Sequence, residues 1–94
     1  MYEYTPMSED KLQRDVTRAQ QAKALLETEI FKEAFTYLDD MYVQEWKTQT
    51  DSVRRARLWF SINALVKVRE HLENVLANGK LAQREIDEMS LRKR

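Results

Sequence analysis

Apolar residues recur at steps of three and four along most of the chain, the spacing of one face of an amphipathic helix. A first stripe covers residues 12–30, and a second stripe, in a shifted phase, covers residues 31–46. Because the phase changes near Thr28, whose hydroxyl suits an N-cap, we predict that one helix ends there and another begins. No Gly or Pro forces this break, so a kinked or continuous helix from Ser8 to Lys47 stays an alternative.

Polar signals mark the predicted ends of these helices. Thr5-Pro6 is a helix-start signal, and Ser8, followed by two acidic residues, is a second candidate N-cap. Residues 48–51 form a short polar loop in which Thr50 or Asp51 caps the next helix. Since the loop is short, we expect the helices on either side of it to be antiparallel neighbours.

The third predicted helix covers about residues 52–77. Asn78-Gly79 then predicts a helix end with the glycine in the left-handed conformation, followed by a short C-terminal helix. The apolar residues of the third helix spread well beyond one stripe, and such a helix is usually buried on more than one side. In so short a chain, we expect a second subunit to cover one of those sides. The residues that we predict to mediate assembly, from the second and third helices, are Phe31, Phe35, Leu58, Ile62, Leu65 and Leu72.

The predicted fold is therefore all-α, an antiparallel helical hairpin or three-helix bundle with a short C-terminal helix, and oligomeric. A chain of 94 residues makes one domain, here 1–94, with an N-terminal arm over 1–7 and a basic tail over 90–94. So small a domain buries a smaller share of its surface than a large one, and sharing a core with a second copy is a common remedy.

The composition argues against most reactive chemistry. The chain has no Cys, one Gly and one His, so a thiolate nucleophile, a zinc-binding Cys pair and a glycine-rich phosphate loop are all missing. His71, the single histidine, lies in the middle of a predicted helix and has no nucleophile context around it. We predict a protein that is not an enzyme, with no catalytic residues, cofactor or metal.

Basic and aromatic residues near the start of the third helix carry an alternative. Arg54, Arg55 and Arg57 oppose the helix dipole at this end, so we expect acidic residues of the preceding helix to compensate them. Their functional interpretation is a phosphate or nucleotide site with Trp59 available for stacking, assisted by the basic tail. The aromatic residues around the loop are expected to be mainly core, with Trp59 opposite Tyr42.

Charge is distributed unevenly along a chain whose formal net charge is zero. Residues 1–51 hold 6 basic and 11 acidic side chains, a net charge of −5, and residues 52–94 hold 10 and 5, a net charge of +5. Two explanations stay open: antiparallel helices complement each other within one fold, or copies attract each other head to tail. The neutral total disfavours a nonspecific nucleic-acid role.

Two segments resemble a set of small helical proteins encoded by tailed phages and prophages. They are RAQQAKALLETEIFKEAF (18–35) and RLWFSINALVKVREHLENVLANGKLA (57–82). The shared landmarks are a helix ending in Leu-Leu, a Glu-Ala-Phe helix, a Trp before a polar loop, Arg-x-Leu-Trp and a Gly-Lys-Leu-Ala ending. The resemblance supplies no functional residues. It implies a virion assembly part, a DNA-packaging accessory or a small inhibitor of a host defence factor.

We therefore expect a non-enzymatic, phage-type helical protein that forms a homo-oligomer and has a phage or host protein as a further candidate partner. Nucleic-acid or nucleotide binding is the alternative, less favoured function. The N-terminus lacks the features of a signal peptide, and no run approaches the length of a membrane span. The expected location is the cytoplasm of the host cell, or the virion.

Overall fold

The computed structural model describes residues 8–92, and every regular element within that range is an α-helix. The elements are α1 (Glu9–Glu27), α2 (Glu29–Thr48) and α3 (Ser52–Arg92). The all-α class is confirmed. The predicted arm over 1–7 lies outside the described residues, as do the last two residues of the predicted tail, whereas residues 90–92 belong to α3. None of the three helices has an apolar stretch of the length that crossing a membrane requires.

Side-chain caps start α1 and α3 where the sequence predicts them. The Ser8 hydroxyl accepts a hydrogen bond from the backbone N–H of Lys11 at 3.2 Å. The Asp51 carboxylate accepts one from the N–H of Arg54 at 2.9 Å. Each bond satisfies one of the N–H groups that a helix leaves without a partner in its first turn. Of the two caps proposed for α3, the structure therefore uses Asp51.

Thr28 separates α1 from α2, as the change of phase predicts, but its side chain does not cap α2. Its backbone is extended, with φ −70° and ψ 137°, and its hydroxyl makes no capping bond to α2. The hydroxyl donates instead to the Leu25 carbonyl at 2.7 Å, and the Thr28 N–H reaches the same carbonyl at 3.1 Å. The residue thus closes the last turn of α1 because both of its donors point back along the chain.

The predicted helix end at Asn78-Gly79 and the separate short C-terminal helix are wrong. The helix α3 continues through this position to Arg92, and Gly79 does not have a positive φ. A Cβ atom added at Gly79 would overlap the Cβ of Ala19 and would lie 3.2 Å from the carbonyl oxygen of Asp15. Glycine is present because α1 approaches the backbone of α3 closely, and the left-handed conformation plays no part.

The described residues group into two compact units. Unit 1 pairs residues 9–23 of α1 with residues 73–92 of α3, and unit 2 is Ala24–Leu72, which holds the end of α1, all of α2 and the first half of α3. Each unit is built mainly from two helical segments, and the predicted helical hairpin or three-helix bundle stays a prediction. The single domain predicted over 1–94 stays a prediction.

Unit 1 contains the buried residues of the described chain. Leu12, Ala22 and Ala82 are 1–5% exposed, and Gly79 is buried with them. Three of these four residues are small, so the two helices meet at close range and few large side chains lie between them. The stability of such a contact depends on how closely the backbones fit.

Unit 2 has no buried residue. Its helices are joined through half-buried side chains, and polar contacts close the loop between them. In that loop the Gln49 side chain accepts a hydrogen bond from the Asp51 N–H at 3.0 Å, and the Thr48 hydroxyl donates back to carbonyls of α2. A two-helix layer can cover only one side of each helix, so apolar residues on the other sides stay in solvent.

Candidate interaction surface

A cluster of two tryptophans and an arginine fixes the loop end of unit 2. The rings of Trp46 and Trp59 lie 5.9 Å apart and are tilted by 37°. The guanidinium of Arg55 lies 4.1 Å from the centre of a Trp46 ring, and its Nε–H donates to the Trp46 carbonyl at 3.2 Å. Trp59 was expected opposite Tyr42, but its aromatic partner in the structure is Trp46. An open groove of about 420 Å³ borders this cluster.

The three arginines proposed as an anion site do not form one cluster. All three are exposed, but Arg55 is held against Trp46, and successive residues of a helix point in different directions. Since Arg55 already occupies a Trp46 ring, that ring face is closed to a nucleobase. The structure therefore brings Trp59 together with one of the three, Arg55. It shows no common site for Arg54, Arg55 and Arg57.

The expected compensation of these arginines by acids of α2 is not formed. The ion pairs between described residues are Lys11–Asp15, Lys32–Glu29 and Lys67–Glu70, each within a single helix. The helix α2 carries five acidic and two basic residues, and residues 52–72 of α3 carry five basic and one acidic. Among the described residues, no ion pair therefore joins the oppositely charged helices of unit 2.

The residues that the sequence predicts to mediate assembly are all half-buried in the structure: Phe31, Phe35, Leu58, Ile62, Leu65 and Leu72. The rings of Phe31 and Phe35 lie 4.7 Å apart, and the guanidinium of Arg69 from α3 lies 5.5 Å from the Phe35 ring centre. Phe35 therefore takes part in the contact between α2 and α3 within unit 2. Their proposed role in assembly stays a prediction.

A different set of apolar residues is the most exposed in unit 2. We call it the exposed set; its side chains are between 41% and 72% exposed. Its members are Leu25, Ile30, Tyr37, Val53, Trp59, Phe60, Val66 and Val68. In the sequence, Ile30 belongs to the first apolar stripe, whereas Trp59, Phe60, Val66 and Val68 widen the apolar surface of the third helix beyond one stripe. The sequence signal that could have found them is a spacing of seven residues, which separates Ile30 from Tyr37 and Val53 from Phe60. On α3, Val53 and Phe60 lie off the face that carries Leu58 and Ile62.

Within residues 8–92, no group of three or more His, Asp or Glu side chains is placed to hold a metal ion. His71 is exposed on α3. The hollows on these helices are open, and the groove beside the tryptophans is lined mainly by apolar atoms. The arrangement presents exposed apolar helix surface, and large patches of such surface mark interaction sites.

Comparison with protein-family models, with curated proteins and with solved structures finds no match. What this chain does must therefore be argued from its own residues.

Proposed function

We propose that this chain is a non-enzymatic, phage-type helical protein that acts by oligomerising through unit 2, as a virion assembly part or a DNA-packaging accessory. One observation supports the proposal above the others. Unit 2 has no buried residue, while eight of its large apolar side chains are 41–72% exposed. Exposed apolar surface of this kind marks sites where partners bind.

The size of this surface suits a stable interface. Taking about 200 Å² as the full area of a large side chain, the exposed set leaves roughly 900 Å² of apolar surface, summed over all sides of unit 2, against about 800 Å² per partner in a standard interface. The set includes Trp, Tyr and Phe, residues that interfaces favour. The phage assignment rests on the resemblance of residues 18–35 and 57–82, and within it an inhibitor of a host defence factor is the third candidate.

Sedimentation velocity tests this proposal with one variant and a matched control. Phe60 in unit 2 is 72% exposed and Leu81 in unit 1 is 60% exposed, so neither side chain contributes much to packing within the chain. We expect the native chain to sediment as a species heavier than 11.3 kDa, Phe60→Ser to shift toward the monomer, and Leu81→Ser to behave as the native chain. A native chain that stays monomeric at about 100 µM, where even a weak interface assembles, would refute the proposal.

Nucleic-acid binding is the second candidate, favoured by the exposed arginines at the start of α3 that have no acidic partner there. Arg54 and Arg57 would contact phosphates, and the basic tail would add charge. Binding of this kind falls steeply with salt. A mobility-shift titration with duplex DNA at about 50 mM and about 200 mM salt should show that fall. Unchanged migration at the lower salt rules the candidate out.

A further inference from the structure

We propose that α2 of a second copy docks antiparallel on the side of α3 that carries Val53, Arg57 and Phe60. The inference rests on the proposed function and identifies the two surfaces that meet. It follows from exposure, residue spacing and charge on two sides of unit 2, neither of which is covered within that unit.

The docking side of α3 is defined by residues one heptad apart. Val53 and Phe60 are 59% and 72% exposed, and Arg57, also exposed, lies between them on the same side. Leu58 and Ile62 lie two positions before and after Phe60, which in an α-helix is the opposite side, and both are half-buried. The contact with α2 of the same chain therefore uses the other side of α3.

The docking side of α2 has the same construction with the opposite charge. Ile30 and Tyr37 are 72% and 66% exposed, and Glu33, also exposed, lies between them. An open hollow of about 560 Å³ runs beside Tyr37. No ion pair between described residues uses either Glu33 or Arg57, so both charges are available to a partner.

The two sides match when the helices run in opposite directions. Seven residues span about 10.5 Å in an α-helix, so the apolar pairs have equal spacing on α2 and on α3. On α2, Glu33 comes three residues after Ile30, and on α3, Arg57 comes four residues after Val53. Reversing one helix makes the two orders coincide. Glu33 then lies opposite Arg57, Ile30 opposite Phe60, and Tyr37 opposite Val53.

A second copy is the occupant that this match selects, since both halves of the contact are present in one sequence. The net charge of α2 is −3 and that of residues 52–72 is +4, so two copies attract through these helices. Within one chain Trp46 lies beside Trp59 and Phe35 lies near Arg69, so the contact between Glu33 and Arg57 is shifted from that register by about 15 residues, or roughly 22 Å, along the helices. The contact therefore joins copies head to tail, and each copy offers its α2 to one neighbour and its α3 to another.

Single charge reversals and their mixture test this contact. We expect Glu33→Arg and Arg57→Glu each to weaken self-association at least tenfold, because each sets like charges against one another in every contact between copies. Mixed in equal amounts, the two variants should associate as the native chain does. When the two variants alternate along the head-to-tail assembly, one contact pairs the native charges and the next contact pairs the reversed charges. Sedimentation velocity at about 50 mM salt measures the association.

Matched controls carry the same charge changes outside the proposed surface. Glu88→Arg and Arg84→Glu alter exposed residues of unit 1 and should leave association unchanged. Far-UV circular dichroism checks that each variant keeps the native helix content. The inference is overturned if single reversals associate as tightly as the native chain, or if the mixture fails to recover. Should Phe60→Ser dissociate the oligomer while the reversals do not, the proposed function stands and this contact is wrong. A monomeric native chain contradicts both.

Discussion

Replacing Gly79 tests the closest contact in unit 1. Alanine in a helix interior is normally more stable than glycine by about 1 kcal/mol, because glycine loses more backbone freedom on folding. At this position the added Cβ would overlap the Cβ of Ala19 and would lie 3.2 Å from the Asp15 carbonyl oxygen. Both neighbours belong to the close-packed face of α1, so neither atom moves aside without moving that helix.

Separating the two helices weakens the packing of the other residues in the contact. Overpacking of this kind typically costs up to about 3 kcal/mol. The gain in helix propensity offsets about 1 kcal/mol of this cost, so Gly79→Ala should lower the free energy of unfolding by about 2 kcal/mol. For a chain of this size, the midpoint of thermal unfolding should fall by about 10 °C.

Thermal unfolding followed by circular dichroism at a fixed protein concentration gives this shift, since association also raises apparent stability. Asn78→Ala, at the exposed neighbouring position, is the control. It improves helix propensity without adding an atom to the contact, so it should raise the midpoint slightly. If Gly79→Ala also raises the midpoint, the reasoning about close approach is refuted.

A second change separates close approach from any other role of the glycine. Ala19→Gly removes the atom that the new Cβ meets, so the double variant Ala19→Gly with Gly79→Ala should be more stable than the two single changes predict. We expect a coupling free energy of more than about 1 kcal/mol in this cycle, as for other residues in direct contact. Additive effects would show that the two positions do not meet.

Three further predictions concern single side chains. Asp51→Ala removes the N-cap of α3 and should cost about 1 kcal/mol, measured by urea unfolding; an unchanged midpoint would show that the capping bond contributes nothing. Leu12→Ala, at a fully buried position, should cost about 3 kcal/mol, and Leu58→Ala, at a half-buried one, about 1 kcal/mol. The reverse order would contradict the burial described above. Arg55→Ala removes the cation over Trp46 and should cost about 0.5–1 kcal/mol, with a change in tryptophan emission as the direct readout; identical spectra would count against the stacked geometry.

Local signals predicted the parts of the fold that local chemistry decides. Ser8 and Asp51 are short polar residues ahead of apolar stripes, and the capping bonds they make involve residues three positions away. The change of phase at Thr28 located the break between α1 and α2, although it did not show that the hydroxyl would bond to Leu25.

The error at Gly79 has the opposite origin. Asn followed by Gly is a common helix end, but here the glycine is required by a helix some sixty residues earlier in the chain. A pattern read along the sequence contains no record of that approach. The prediction therefore gave Gly79 a role in backbone conformation, whereas its role is in packing between helices.

The sequence predicts that apolar helix surface is left for a partner, but it does not predict which residues form that surface. The wide apolar arc of α3 indicated that more than one side would be covered. Which side faces α2 depends on how two helices pack, and periodicity does not decide between stripes on a helix that is apolar over so much of its circumference. The structure assigns Leu58 and Ile62 to the half-buried side, and it leaves Val53 and Phe60 exposed.

The proposed function requires that a partner copy covers unit 2. Both tryptophans of the chain, Trp46 and Trp59, lie in this unit, so intrinsic emission reports on it directly. Dilution from about 100 µM to about 0.1 µM should shift the emission to longer wavelength as the oligomer dissociates and Trp59 enters water, while the helix content stays constant. Emission that is the same at every concentration in this range, from a chain that sediments as a monomer, would contradict the account.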